Sequence, residues 1–208
     1  MIEQDRPVPN WLDVSRETLD RLIELERLVL KWTSAVNLIS KGSATNIWSR
    51  HILDSAQIAG LANWGHGTWA DLGSGGGFPG LVLAVLAKEH SPAADYTLVE
   101  SDARKAAFLL QAVRMLDLRA TVLVQRIEVV PPLSAEALSA RALGSLDVLL
   151  GLAVRHLAAG GRAYFPKGAS YGNELDSARQ RWRFQCHTHI SQTDPQSAIL
   201  EVDGIELL

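Results

Sequence analysis

The chain has 208 residues, 47% of them hydrophobic and 21% charged, and a formal net charge of −3. That length supports one large domain, or a domain with a small extension, and a sizeable core. The charge balance excludes a strongly basic coat for nucleic acid but leaves a local basic face open, and no apolar run reaches the ~20 residues that span a bilayer.

The opening MIEQDRPVPNW has neither the basic start nor the apolar core of a secretory signal, so the expected location is the cytoplasm. From Ser15 to Val36, apolar residues recur at threes and fours (Leu22, Leu25, Val29, Trp32, Val36). This predicts an amphipathic helix capped by Ser15, with Glu17 at its positive end. A second helix is predicted over Ala44–Leu61, with Ile47, Ile52, Leu53, Ala56 and Leu61 available for burial. Residues 1–64 therefore read as a helical subdomain, or extension, ahead of the main domain at 65–208.

The texture changes after the turn at Gly65–Gly67. Thr68–Leu72, Tyr96–Glu100, Thr121–Gln125, Leu138–Leu143 and Gly161–Pro166 read as strands; Phe78–Lys88, Asp102–Leu116 and Leu146–Leu157 read as helices between them. Such alternation implies an α/β fold with a doubly wound, mostly parallel sheet of the Rossmann-like kind. At the tail, Phe184–Ser191 and Ala198–Val202 flank the turn signal Thr193-Asp194-Pro195, which predicts an antiparallel pair closing one edge of the sheet.

The stretch WADLGSGGGFPG (Trp69–Gly80) places a glycine loop between the first strand and the next helix, at the carboxyl edge where open α/β sheets bind ligands. Gly75-x-Gly77-x-x-Gly80 matches the dinucleotide fingerprint, which is weak evidence on its own. Asp71 ends the strand just before the glycines. A carboxylate there would repel a pyrophosphate and suits an ammonium group. Glu100, about 20 residues past Gly80, ends the second strand, where an acid can take a ribose diol. Together these features suit S-adenosylmethionine, with its amino group near Asp71 and its ribose on Glu100. Taken singly, Asp71 reads equally as a strand-end turn acid and Glu100 as a helix cap.

DLGSGGGFPG, preceded by NLIS (Asn37–Ser40) and RHILDS (Arg50–Ser55), resembles the RsmG (GidB) family of 16S ribosomal RNA guanine-N7 methyltransferases. VESDARKAAFL (Val99–Leu109), QRIE (Gln125–Glu128), ARALGSL (Ala140–Leu146) and FPKG (Phe165–Gly168) continue the resemblance in order, over roughly residues 30–170. It implies a class I methyltransferase that uses S-adenosylmethionine and no metal. Carried over by motif, Gly73, Gly75 and Phe78 line the cofactor pocket, Ile127 and Glu128 meet its adenine side, and Arg141 closes the site. Arg50, His51 and Lys167 fall in shared motifs near that edge and are the RNA-binding candidates. The implied partner is 16S rRNA or an assembling small ribosomal subunit, with no membrane involved and nothing that demands more than a monomer. Glu100 stands where many relatives carry Asp, and beyond Gly168 the match fades.

Methyl transfer to guanine N7 removes no proton, so positioning is the main requirement and no catalytic residue is singled out. Arg141 also reads as a strand-end arginine paired with an acid such as Glu128, and His51 as a satisfied surface histidine. The six histidines show no HExxH spacing, and one cysteine cannot build a thiolate zinc site. Cys186 reads as a half-buried strand residue, Arg179–Arg183 as a solvated helix end, and the tryptophans, Trp64 among them, as core filling. Competing readings are a nicotinamide-dependent oxidoreductase, a non-catalytic S-adenosylmethionine sensor, and a methyltransferase for another RNA or a small molecule. Against the first, no Tyr-x-x-x-Lys pair occurs.

Overall fold

The computed structural model describes residues 6–40, 42, 44–62, 65 and 67–208; Trp64 and His66 lie outside them. A seven-stranded sheet runs in the order β3-β2-β1-β4-β5-β7-β6. The strands are β1 (Thr68–Leu72), β2 (Asp95–Val99), β3 (Ala120–Leu123), β4 (Ala135–Ser139), β5 (Leu157–Lys167), β6 (Trp182–Ile190) and β7 (Ala198–Leu207). The first five pair in parallel; β7 lies antiparallel between β5 and β6, so the predicted antiparallel closure occupies two strands. From β1 the chain winds outward through β2 to β3, then returns to add β4 and β5 on the other side. The switch between β1 and β4 opens a crevice at their carboxyl ends, and the glycine loop follows β1 into it.

Helix α1 (Arg16–Thr33) forms as its periodicity predicts. Ser15 Oγ accepts from the Thr18 amide, and Leu22, Leu25, Leu28 and Val29 are buried. Leu22 and Leu25 share one continuous core with Leu81 and Phe108 from helices on the same face of the sheet. The second predicted helix is a series of short turns. A 3-10 turn (Ala44–Asn46) leads to a π turn (Trp48–Leu53), then α2 (Asp54–Ala56) and another 3-10 turn (Gln57–Gly60). The reason is visible at Asp54. Its amide bonds the carbonyls of His51 and Ser49, bypassing Arg50, whose carbonyl is taken by Arg141 Nη1 at 3.3 Å. A side chain from β4's end thus enters the helical ladder and widens the turn.

Helices α3 (Gly80–His90), α4 (Ala103–Met115) and α5 (Leu146–His156) cross between the parallel strands. Every residue from Gly80 to Ala87 is buried, as expected for a helix packed between the sheet and α1. Asp102 caps α4 by accepting from the amides of Arg104 and Lys105. One helix was not legible in the sequence: α6 (Tyr171–Ala178), which sends Glu174 back to the α5 N-terminus, where it accepts from the Leu146 amide at 2.8 Å.

Candidate functional site

The loop after β1 is shaped by backbone. Gly73, Gly75 and Gly77 sit at φ of 66°, 52° and 86°, a region that costs a residue with a Cβ about 1–2 kcal/mol. The Ser74 amide donates to Val99 O on β2 (3.0 Å) and the Gly77 amide closes a turn on Ser74 O (2.7 Å). Glu100 braces this loop from the neighbouring strand tip. Its Oε2 accepts from the Gly75 amide at 2.9 Å and its Oε1 from the Asp102 amide at 2.7 Å. Each oxygen keeps a further lone pair. A Cβ on Gly75 would meet nothing nearer than 3.7 Å, so its backbone stays bare towards open space.

That space is a cavity of about 270 Å³ lined by Gly73, Gly75, Glu100, Ile127, Glu128 and Ala142, among others. Five of the eight residues expected to hold a cofactor therefore converge here. Ile127 and Glu128 arrive on a 3-10 turn (Ile127–Val129) after β3, which ends at Leu123 instead of the predicted Gln125. Glu128 pairs with Arg126 at 3.4 Å, not with Arg141. The structure replaces that expected partner with Asp54.

Asp71 stands behind the loop. It is wholly buried, Oδ1 accepts from Ser139 Oγ at 2.6 Å, and Ser139 Oγ in turn accepts from Trp69 Nε1 at 3.0 Å. Its other oxygen, Oδ2, faces the Gly80 backbone, has no partner of normal hydrogen-bond geometry among the described residues, and lies 2.6 Å from where a Cβ on Gly80 would sit. Burial pushes the carboxyl up to about 6. Asp71 does not line the cavity; it is an interior acid set against the start of α3, behind the loop where the donor's amino group is expected.

Phe78 and Arg141 belong to a second cluster. The Phe78 ring stacks on His51 with centroids 4.9 Å apart, and the Arg141 guanidinium lies 5.3 Å from its centroid. Arg141 also reaches His51 Nδ1 at 2.5 Å and Asp54 Oδ2 at 3.3 Å. Arginine only donates, so Nδ1 accepts and the imidazole proton sits on Nε2. Burial, then the charges of Arg141 and Arg50, pushes His51 down to about 4, so it is neutral near pH 7. A neutral ring supplies no counter-charge for phosphate. Asp54 is held in turn by Gln57 Nε2 (2.9 Å) and Thr193 Oγ1 (2.9 Å), and the Gln192 amide donates to Gln57 Oε1 at 2.9 Å. One polar network therefore ties the π turn, the end of β4 and the β6–β7 turn together.

This network walls a larger cavity of about 580 Å³, lined by Arg50, Asp54, Arg141, Ala142, Lys167 and Glu174 among others. Ala142, at φ 54°, borders both cavities, which makes Arg141–Leu143 their partition. Arg50 is exposed, and no ion pair engages its guanidinium among the described residues. Lys167 differs. Its side chain is 8% exposed, and its ammonium donates to Glu174 Oε2 and to the Gly144 carbonyl, both at 2.8 Å. Instead of reaching outward for phosphate, as the sequence reading has it, Lys167 pins the partition to α6. Sequence reasoning missed Asp54, Glu174 and Thr193. Asp54 lies inside the RHILDS motif and could have been flagged as its one acid; the other two carry no local signal.

The remaining candidates are structural. Cys186 lies half-buried on β6 with its thiol pushed up by burial, which opposes nucleophilic use. Arg181 and Trp182 Nε1 bond Asp147 (2.8 Å each), and Arg183 meets Glu206 at 3.4 Å.

The family described as rRNA small subunit methyltransferase G matches residues 18–198. A protein of that name from Ruegeria sp. is 51% identical, with 94% of this chain and 95% of that one covered. A second from Cereibacter sphaeroides is 50% identical, with 99% of each covered. Among solved structures, a SAM-dependent methyltransferase from Aquifex aeolicus shares the fold with a TM-score of 0.58 at 13% identity, covering 76% of this chain and 92% of that one. With the family spanning the glycine loop, both cavities and their partition, the chain belongs to the rRNA small subunit methyltransferase G family.

Proposed function

We propose that this protein transfers the methyl group of S-adenosylmethionine to N7 of a guanine in 16S rRNA, either free or within an assembling small subunit. The observation that carries the reading is the meeting of two cavities at Ala142, one built from bare glycine backbone and strand-tip acid, the other open and polar. The residues present fit the donor. Glu100 keeps lone pairs for ribose hydroxyls, Gly73 and Gly75 offer bare backbone, and Ile127 with Glu128 forms the side suited to adenine. Asp71 contributes from behind by holding the start of α3, and Arg141, with Phe78 packed against its guanidinium, forms the wall of the second cavity.

When bound, the donor supplies an electrophilic methyl on a sulfonium sulfur; guanine N7 offers an in-plane lone pair and no proton. No general base is then required. The protein's task is alignment across the partition, and such positioning contributes roughly 7–11 kcal/mol. Arg50, exposed in the lining of the larger cavity and in no ion pair among the described residues, is suited to a phosphate beside an unstacked guanine. His51 acts through Arg141 and Phe78, and Lys167 through Glu174 and Gly144.

The test is transfer of labelled methyl to small-subunit RNA from a strain lacking this protein, with the modified nucleotide mapped by mass. Label at guanine N7 is expected. Label at a cytosine or a ribose, or tight binding of NAD in place of S-adenosylmethionine, overturns the reading.

A further inference from the structure

The larger cavity carries a pattern of unused hydrogen-bonding groups. Arg141 has five N–H groups, of which Nη1 serves the Arg50 carbonyl and Asp54, and Nη2 serves His51. Among the described residues its Nε–H and one Nη2–H hold no hydrogen bond. Three carboxylates line the same cavity. Asp194 spends its oxygens on its own turn, on the Gln196 amide and Ser197 Oγ. Asp54 spends Oδ1 on Gln57 and Thr193 and Oδ2 on Arg141. Glu174 uses only Oε2, which accepts from the Leu146 amide and Lys167 Nζ at 2.8 Å each; its Oε1 holds no hydrogen bond among the described residues. Spare donors therefore stand beside the partition, and a spare acceptor stands further along the wall.

Guanine presents the complement of this pattern in the same order. N7 lies next to the O6 acceptor, and O6 lies next to the N1–H and N2-amino donors. We propose that Glu174 is a specificity-determining residue for guanine. The two lone pairs of its Oε1 accept from N1–H and the N2 amino group while Arg141 donates to O6, which turns N7 towards Ala142 and the smaller cavity. Adenine opposes the pattern twice, with an amino donor facing Arg141 and the N1 acceptor facing the carboxylate. Lys167 is a positioning residue here: it holds Glu174 and the Gly144 carbonyl together and keeps the acceptor's distance from the partition constant. This inference rests on the methyltransferase reading above and adds the means by which one base is chosen.

The experiment uses the full-length protein and two small-subunit RNAs, one with guanosine and one with inosine at the mapped target. Inosine lacks only the N2 amino group. In the unaltered protein, inosine should lower kcat/KM by roughly 10- to 100-fold, as for loss of a hydrogen bond to a charged group. Glu174→Gln should lower kcat/KM on guanosine and bring the guanosine-to-inosine ratio to within about threefold, with S-adenosylmethionine affinity unchanged. A ratio in Glu174→Gln equal to that of the unaltered protein overturns the proposal. Should that variant fail to fold, Glu174→Asp, which keeps the charge and shortens the reach, is read the same way. Absence of any methyl at guanine N7 with the unaltered protein would instead refute the underlying function, so the two failures are distinguishable.

Discussion

The two cavities that meet at Ala142 are built by opposite means. The smaller is built around the glycine backbone after β1, with residues from the segments that follow β2, β3 and β4, and Glu100 bonds the Gly75 amide across it. The larger is made of side chains from the π turn, the end of β4, α6 and the β6–β7 turn, tied by ion pairs and amide bonds. A site shaped by glycines at positive φ tolerates little added volume. A side-chain site absorbs small volume changes and depends on each charge having its mate.

The comparison breaks most sharply at Gly80. A Cβ there would fall 2.6 Å from both Asp71 Oδ2 and Leu98 Cδ2, and both neighbours are buried. Gly80→Ala should cost about 3 kcal/mol in urea unfolding, at the upper end for an overpacked core. A loss under about 0.5 kcal/mol would show that the loop is not held by its backbone. Asp54→Asn tests the other region. It removes the charge facing Arg141, at an expected cost of about 2 kcal/mol. RNA turnover should fall while calorimetric S-adenosylmethionine affinity stays within about twofold. Equal loss of both would mean that the cavities act as one site.

Arg50→Ala should leave stability unchanged and lower the slope of log affinity for RNA against log salt by about one, as for one lost phosphate contact. An unaltered slope would remove Arg50 from the RNA path. The smallest effect is a pH dependence. Folded His51 titrates near 4, against 6.5 when unfolded, so the unfolded chain takes up this proton first and stability falls as pH drops through that window. Asp71, raised to about 6 from 3.8, works the other way: the folded chain binds its proton first and gains stability on acidification. In His51→Gln only the second contribution remains. Its stability relative to the unaltered protein should therefore rise between pH 7 and pH 5, and a fall would mean that His51 is charged in the folded state.

The alternation of strands and helices and the glycine crevice were legible because both depend on short-range patterns, whereas the strand order β3-β2-β1-β4-β5-β7-β6 came only with the tertiary structure. Thr68–Leu72 is a short, largely apolar run that ends at Gly73, and the helix after the second strand repeats its apolar residues at threes and fours (Phe108, Leu109, Ala112, Leu116). The broken 44–60 segment was not legible. Its apolar spacing is helical, and the disruption comes from Arg141, nearly a hundred residues away, which takes a carbonyl from the ladder. Asp71 was identified as special for the right local reason, its place before the glycines. Its burial depends on Ser139 and Gly80 closing over it. Lys167 looked like a free cation because the helix that neutralises it, α6, gave no periodic signal strong enough to assign.

By itself the sequence determined the mostly parallel sheet, the glycine loop after its first strand, the acid at each of two strand tips, and through its ordered motifs the family. Only the tertiary structure decided which charges remain free. Pairing depends on distances between segments far apart in the chain, and those distances exist only once the core has closed. Arg50 and Lys167 are alike in sequence as basic residues of shared motifs. Folding leaves the first exposed and spends the second on Glu174, because α6 carries an acid to Lys167 and no ion pair engages the Arg50 guanidinium among the described residues.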